Sequence, residues 1–306
     1  MWRRVSPRRT QLRHDSSVPE ADLPAYVGGD DVEEMLPAGD VTDGVVRVGQ
    51  TVRRPAQPQS AAVAYYLEHL RAVGFDGAPR FLGRDRSGRD VLDYLVGSVP
   101  SDPPELWAAD EDLLASVGVL LRRLHDASAG YAADRGFAAP PGASWFSRPL
   151  PSDVAVDQVP AEPTPELVSH NDVTPQNVVV RDGRAVGLVD FDMAGPTTHL
   201  IDVYNTAMHW VPLRDPADIW PTWTGLDQPG RLRVLADAYG LTDSQRLSLI
   251  DLGVLRADRS WLLMKGAAEH LGGGWARMWH DGVGELIRRR RAWLTANRGS
   301  FLAALS

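Results

Sequence analysis

The sequence predicts an α+β chain of two lobes, a small antiparallel sheet carrying one helix and then a larger, mainly helical lobe. Three observations predict it. Residues 32–96 hold short alternating apolar and polar runs broken by glycine-containing turns, with one helical stretch among them. A proline-rich break, Pro100, Pro103 and Pro104, follows Gly97. Beyond it, apolar residues recur at helical spacing over 113–125, 201–210, 229–239, 243–265 and 275–296, interrupted by one short glycine-punctuated apolar block at 167–195. The chain therefore divides into a tail (1–24), a small lobe (25–96) and a large lobe (97–306), with a hinge at 92–97.

The small lobe reads element by element. Residues 32–36, 45–48 and 51–54 are strands, the last two joined by Gly49-Gln50 as a tight hairpin would be, and Pro55 ends the third. Residues 60–73 place Val63, Leu67 and Leu70 on one helical face, with Ser60 at the start and Gly74 just past the end. Two further strands, 81–83 and 91–96, flank the turn at Arg86-Ser87-Gly88. In the large lobe, residues 138–165 are rich in Pro, Gly and Ala and read as a long irregular connection, and Thr242 with Gln245 forms a capping box at a helix start.

Composition narrows the function classes. A chain of 306 residues with 43% hydrophobic residues can bury one large or two modest cores. With no cysteine, disulfides and thiolate metal sites are excluded, and a reducing cytoplasm is the expected location. A net charge of −8 argues against a nucleic-acid partner, and no apolar run is long enough to span a membrane. Arg3, Arg4, Arg8, Arg9 and Arg13 make residues 1–24 a poorly ordered basic tail, with no apolar segment behind them to form a secretory signal. Basic charge comes almost wholly from arginine, Lys265 being the single lysine.

The chemistry lies in residues 169–195. Residues 178–180 and 186–189 are apolar runs around a turn containing Asp182-Gly183, which makes a β-hairpin. A hairpin returns its second strand to the start of its first, so Asn177 and Asp190 meet at the open end. Pro175 prevents regular structure just before Asn177 and leaves Asp172 on a turned loop. An amide and two carboxylates thus converge where apolar strands meet a loop. Asn177 and Asp190 offer hard oxygen ligands of the kind Mg²⁺ accepts alongside water and phosphate, and Asp172 can take a proton from an attacking hydroxyl.

Residues 170–177, His-Asn-Asp-Val-Thr-Pro-Gln-Asn, resemble the H-x-D-x-x-x-x-N catalytic loop of kinase-like phosphotransferases, and Val189-Asp190-Phe191-Asp192 resembles the metal-binding segment of the aminoglycoside phosphotransferase family. The resemblance covers residues 35–300, is sharpest over 169–203, and implies a bilobal protein-kinase-like fold using ATP and Mg²⁺. It implies Asp172 as the catalytic base, Asn177 and Asp190 as metal ligands, His170 as a residue holding the loop, and Asp202 as a brace beneath it or a helix N-cap. Asp192 faces either the metal or the acceptor. Asn171 stands where protein kinases carry arginine, and the short segment between Asp190 and the helix near Asp202 leaves no room for a peptide-docking activation segment. The implied partner is a small-molecule hydroxyl acceptor: an aminoglycoside-like antibiotic, an amino alcohol or a sugar.

The same resemblance assigns the nucleotide contacts. The family's phosphate-binding lysine is missing from the third strand, and Arg54 holds the corresponding place, with Arg53 facing the other way; a pair of solvent-facing arginines is the competing reading. Glu68 is the helix-borne carboxylate available to pair with Arg54, or else a surface charge. Gly39 to Gly44 either covers the phosphates with backbone N–H groups or is a plain hairpin loop, and the backbones of Asp93 and Leu95 would meet adenine at the hinge. Trp210, Trp220, Trp223, Trp261, Trp275 and Trp279 line an acceptor pocket or pack the core. The motif order and the Arg-Arg-Pro end of the third strand also resemble a bacterial subgroup associated with peptide-antibiotic immunity. The missing lysine motivates an alternative, a non-catalytic pseudokinase-like nucleotide-binding or antibiotic-immunity protein.

Overall fold

The computed structural model describes residues 23–28, 32–36, 44–131 and 149–306. Most of the basic tail, the Gly39 end of the proposed phosphate loop and residues 132–148, which include the first part of the irregular connection, lie outside the described residues.

The small lobe is built from strands β1 (Glu33–Met35), β2 (Val46–Val48), β3 (Thr51–Arg54), β4 (Phe81–Arg84) and β5 (Asp90–Asp93), with helix α1 (Ser60–Ala72) between β3 and β4. They form one antiparallel sheet in the order β1-β2-β3-β5-β4. Gly49 turns the β2–β3 hairpin at φ 58°, in register Val48↔Thr51, and Val46 and Val48 enter the core by the period-two rule. Pairing of Arg53 with Val91 and Arg54 with Asp90 puts the end of β3 in the sheet interior, where both arginines are buried rather than solvent-facing. Residues 24–26 run beside β4: Tyr26 N donates to Arg84 O at 2.7 Å and Arg84 N to Pro24 O at 2.8 Å, which covers that sheet edge.

The strand expected over 91–96 ends at Asp93, and the chain continues as an extended hinge. Ser98 exchanges two backbone hydrogen bonds with Val180, 2.8 and 2.7 Å, tying the hinge to the large lobe. Gly97 allows this approach. At φ 158°, a Cβ there would sit 2.5 Å from Val179 Cγ1 and 2.7 Å from Val180 O. Gly97→Ala is therefore expected to cost about 1–3 kcal/mol through overpacking, read as a lowered urea midpoint with unchanged slope.

The large lobe contains α2 (Glu111–Ala127), β6 (Leu167–Ser169), the hairpin β7 (Val178–Arg181) and β8 (Arg184–Leu188), β9 (Gly195–Thr197) paired with β6, α3 (His199–Trp210), α4 (Gln228–Tyr239), α5 (Asp243–His270), α6 (Gly273–His280) and α7 (Val283–Leu305). Asp110 caps α2 by accepting from Leu113 N at 2.9 Å, and both bonds of the Thr242–Gln245 capping box open α5. The helix expected as one element over 275–296 is two: Gly282, at φ 97°, breaks α6 from α7. One core runs from Tyr66 and Phe75 through α2 to Phe301 and contains the fully buried Trp210 and Trp223, while Trp261, Trp275 and Trp279 pack around a smaller cluster of Ala257, Met264 and Ile287. The tryptophans singled out from the sequence all take part in packing, Trp210 and Trp223 inside the core, Trp220 partly buried against it, and Trp261, Trp275 and Trp279 partly buried against the smaller cluster. Among the described residues no helix is long and apolar enough to cross a membrane.

Candidate active site

The β7–β8 hairpin turns at Asp182 and Gly183, with φ 51° and 72°, the signs a two-residue hairpin turn favours. Its register Val178↔Leu188 continues one step further, where Val189 N donates to Asn177 O at 2.9 Å. This bond closes the open end and brings Asn177 beside the chain entering Asp190. Asp190 itself lies in the left-handed region, φ 60° and ψ 68°, and the chain turns there at once into the 3₁₀ turn Phe191–Met193. A non-glycine residue in that conformation is uncommon and is held by its surroundings.

The loop before the hairpin is fixed from both sides. His170 is fully buried, and its Nε2–H donates to Val189 O at 2.9 Å, so its Nδ1 is the acceptor for Asp172 N at 3.3 Å. Asn171, also left-handed at φ 63°, donates its amide to Ser169 O at 3.2 Å and Gly195 O at 3.0 Å, joining β6 to β9. Trp210 Nε1 donates to Val173 O at 3.0 Å from below. Phe191 packs edge-on against His170, ring centroids 4.5 Å apart, and on its other side approaches Tyr66 of α1 at 6.2 Å. Asp172 emerges from this frame with Asn177 Nδ2 donating to its Oδ2 at 3.0 Å and to its carbonyl oxygen at 2.9 Å. Burial, with the charge of Asp190 adding to it and His170 opposing it, raises the Asp172 carboxyl to about 6.

Arg54 reaches this point from β3. Its Nη1 lies 3.2 Å from Asp190 Oδ1, and its Nη2 makes a charge-assisted hydrogen bond to Asp192. Burial works against the guanidinium charge, but Asp192 and Asp190 hold Arg54 above its ordinary value. Of the residues predicted from sequence, Asp172, Asn177, Asp190 and Arg54 therefore come together. Asp192 joins them as the second partner of Arg54.

Other expected residues stand elsewhere. Glu68 is not Arg54's partner: its carboxylate is more than half exposed and receives Arg71 of the same helix at 3.0 and 2.6 Å, because α1 turns Tyr66, Leu67 and Leu70 inward and Glu68 outward. Asp93 N donates to Arg80 O at 3.1 Å within the sheet and its carboxylate pairs with Arg80, so its N–H is unavailable to adenine. Leu95 lies on the hinge beyond the sheet, its side chain directed at Gly187. Gly44 has φ 79° as a turn glycine, but the loop from Gly39 that it closes is outside the described residues.

Two supports escaped the sequence reading. Tyr66 of α1 hydrogen-bonds Ser128 Oγ at 2.6 Å and donates to Val168 O at 3.0 Å, linking the small lobe's helix to the large lobe. His125 of α2 donates from Nε2 to Asp202 Oδ2 at 3.1 Å and accepts from Tyr239 Oη at Nδ1, 2.7 Å, all within the core. Burial pushes the His125 imidazole below its usual value, so it is neutral; burial pushes Asp202 up, but the hydrogen bond from His125 holds it below the usual carboxylate range. Asp202 is thus a buried brace rather than a surface cap. A histidine whose folded value is depressed takes up a proton more readily when unfolded, so its stabilisation is present above about pH 6.5 and is lost as pH falls. Between pH 7.5 and 5.5 the contribution of His125 should drop by about 1 kcal/mol, seen as a steeper acid-side fall in urea midpoint for the wild type than for His125→Gln.

Asn177 commits its Nδ2 to Asp172, which leaves its Oδ1, and Asp190 leaves its Oδ2, without a hydrogen bond among the described residues. Two hard oxygens with open directions fit a Mg²⁺ ion that completes its shell with water and phosphate. Among the described residues there is no group of three or more His, Cys, Asp or Glu that could hold a metal unaided.

Comparison with known proteins places the fold and the family. A trifolitoxin immunity protein of Rhizobium leguminosarum bv. trifolii is 31% identical over 229 residues, 72% of this chain and 78% of that protein. A choline/ethanolamine kinase family protein from Mesorhizobium loti superposes with a TM-score of 0.56 at 18% identity, over 90% of this chain and 92% of its own. An amicoumacin kinase solved with AMP-PNP, Ca²⁺ and Ami gives a TM-score of 0.54 at 13% identity, over 90% and 91%. These structures share the bilobal protein-kinase-like fold. The sequence model described as the phosphotransferase enzyme family, APH, matches residues 39–247, most of both lobes, and the chain belongs to that family.

Proposed function

We propose that this chain transfers the γ-phosphoryl group of ATP to a hydroxyl of a small molecule, with Mg²⁺ held by Asn177 and Asp190. The observation that carries the proposal is the convergence of Asp172, Asn177, Asp190 and Arg54 at the open end of the β7–β8 hairpin. Asp172 accepts the proton of the acceptor hydroxyl as that oxygen bonds to the γ-phosphorus. The bond from the γ-phosphorus to its bridging oxygen breaks, and ADP leaves with the electron pair. A carboxyl at about 6 is ionised near pH 7 yet basic enough to take a proton in flight. Mg²⁺, when bound, would compensate the phosphate charges. Arg54 supplies the cation that the family draws from lysine, its guanidinium poised at the metal-binding carboxylate and able to engage two phosphate oxygens. Leu95, whose N–H has no partner among the described residues, is the hinge residue left to meet adenine.

The short path from Asp190 to α3, one 3₁₀ turn and β9, supports a small acceptor over a peptide. The named immunity relative supports an antibiotic-like acceptor. It equally favours a second reading, immunity by binding without transfer. A screen of hydroxylated antibiotics and metabolites for Mg²⁺-dependent ADP release separates the two. Stimulated release by one class of hydroxyl compound is expected; tight Mg-ATP binding with no stimulation by any compound would establish the second reading.

A further inference from the structure

Beside the catalytic loop, α5, α7 and the chain just beyond α3 bring arginines to Tyr204 of α3. Arg256 and Arg259 are matched, both engaging the carboxylate of Glu162. Arg256 Nη2 also donates to Asn205 Oδ1 at 3.5 Å, and Asn205 Nδ2 donates to Asn171 O at 3.5 Å, so this group lies two links from Asp172.

The other two are not matched. Arg290 is 7% exposed, its Nη1 contacts the Met208 thioether, and its Nε is buried without a hydrogen-bond partner among the described residues. Arg214 donates Nη2 to Met208 O at 3.2 Å, rests 5.0 Å from the Trp220 ring centroid, and also leaves Nε buried and unpartnered. Neither has an ion pair among the described residues. Asp218, whose charge reaches Arg214, is held by Arg289. Tyr204, one helical turn before Met208, is 2% exposed with a hydroxyl that has no hydrogen bond among the described residues.

Two neighbouring guanidiniums, Arg290 buried and Arg214 partly buried, with no anion paired to them among the described residues, repel each other and lose hydration that one carbonyl and one thioether replace only in part. Their closeness registers in titration. Burial and the charge of Arg290 push Arg214 down to about 10, and burial with the charges of Arg214 and Arg290 pushes His209 down to about 3. Arg231 makes the contrast: it too is buried without a carboxylate, but donates to two backbone carbonyls, Ala109 O and Trp210 O. Arg290 has no such oxygen among the described residues. Met208 lies one turn beyond Asn205 on α3, so the unmatched pair stands ~5 Å along the axis from the contact to the catalytic loop, a span that a metabolite-sized molecule bridges.

We infer that the acceptor carries an anionic oxygen group, carboxylate or phosphate, that docks on Arg290 and Arg214 with the Tyr204 hydroxyl as a further donor, leaving the acceptor's own hydroxyl to Asp172. The inference rests on the phosphotransferase reading for the identity of the ligand as acceptor. It disfavours polycationic acceptors, which the two unmatched guanidiniums would repel. Arginine suits both oxyanions because its fork donates two parallel bonds.

The test is the melting temperature of the full chain, wild type and Arg290→Met, titrated with millimolar inorganic phosphate and, separately, malonate, without nucleotide. The wild type should rise by several degrees with one or both anions, the stronger response naming phosphate or carboxylate. Arg290→Met should respond to neither and, having lost an unmatched buried charge, should melt no lower than the wild type in anion-free buffer. An equal response in both proteins, no response in the wild type, or an Arg290→Met melting several degrees lower would overturn the inference. In the ADP-release assay, hydroxy acids or sugar phosphates should stimulate, and Arg290→Met should raise the KM of the stimulating compound at least tenfold. Failure of the phosphotransferase reading would look different: no ADP release with any compound, alongside an intact anion response.

Discussion

Asp172→Asn is expected to abolish acceptor phosphorylation while making the protein more stable. Removing a positioned general base costs roughly 10²–10⁴ in kcat, and an amide in the same place cannot take the hydroxyl proton. The stability gain follows from burial. The folded protein holds the Asp172 carboxyl up at about 6, well above its value in an unfolded chain. The folded state therefore binds a proton the unfolded state releases, and between about pH 4 and 6 stability declines as pH rises. By pH 7.5 the ionised carboxylate costs about 1–3 kcal/mol, which asparagine avoids. Asn177 Nδ2, now 3.0 Å from Asp172 Oδ2, keeps an acceptor in the amide oxygen. Urea midpoints should coincide for the two proteins near pH 4 and separate in favour of Asp172→Asn toward neutrality. Equal midpoints at pH 7.5 would mean that Asp172 is an ordinary solvated carboxylate.

The second large effect belongs to Arg54. It binds two carboxylates on a different lobe, so Arg54→Met leaves Asp190 and Asp192 facing each other without their cation. Breaking a fully buried pair costs about 3–5 kcal/mol; with the Asp190 side chain 44% exposed, about 2–3 kcal/mol is the expected loss. Mg-ATP affinity should fall at least tenfold, since the cation for the phosphates goes with it. Arg54→Lys should recover part of the affinity but not the stability, because one ammonium cannot reach both carboxylates as the fork does. Calorimetric titration with Mg-ATP and urea unfolding measure the two effects separately. Nucleotide affinity unchanged in Arg54→Met would remove Arg54 from the site.

How much of this could be seen in the sequence depends on the range of the contacts. The β7–β8 hairpin is local: its turn residues and apolar runs fix the register, and the register alone puts Asn177 against the entry to Asp190. The helical periods likewise gave α2, α4 and the start of α5. What sequence patterns could not select was which distant carboxylate Arg54 would meet. Asp190 and Asp192 are more than a hundred positions away, whereas Glu68 was near in sequence but already had a local partner in Arg71, one turn along α1. The His125–Asp202 brace joins α2 to α3 and has no local signature beyond a histidine on the buried face. The split of the last helix turned on one glycine, Gly282, inside an otherwise continuous helical period. The unmatched charge of Arg290 was hidden within four successive arginines, 288–291, whose other members Arg288, Arg289 and Arg291 pair with Glu285, Asp218 and Asp258.

Phosphorus NMR of the wild type with Mg-ATP and the stimulating hydroxyl compound tests the central claim most directly. The account predicts that the γ-phosphate signal disappears as a phosphomonoester signal of the acceptor grows in equal amount, and that Asp172→Asn holds both signals still. Growth of inorganic phosphate alone, or a product spectrum that Asp172→Asn reproduces at the wild-type rate, would contradict it.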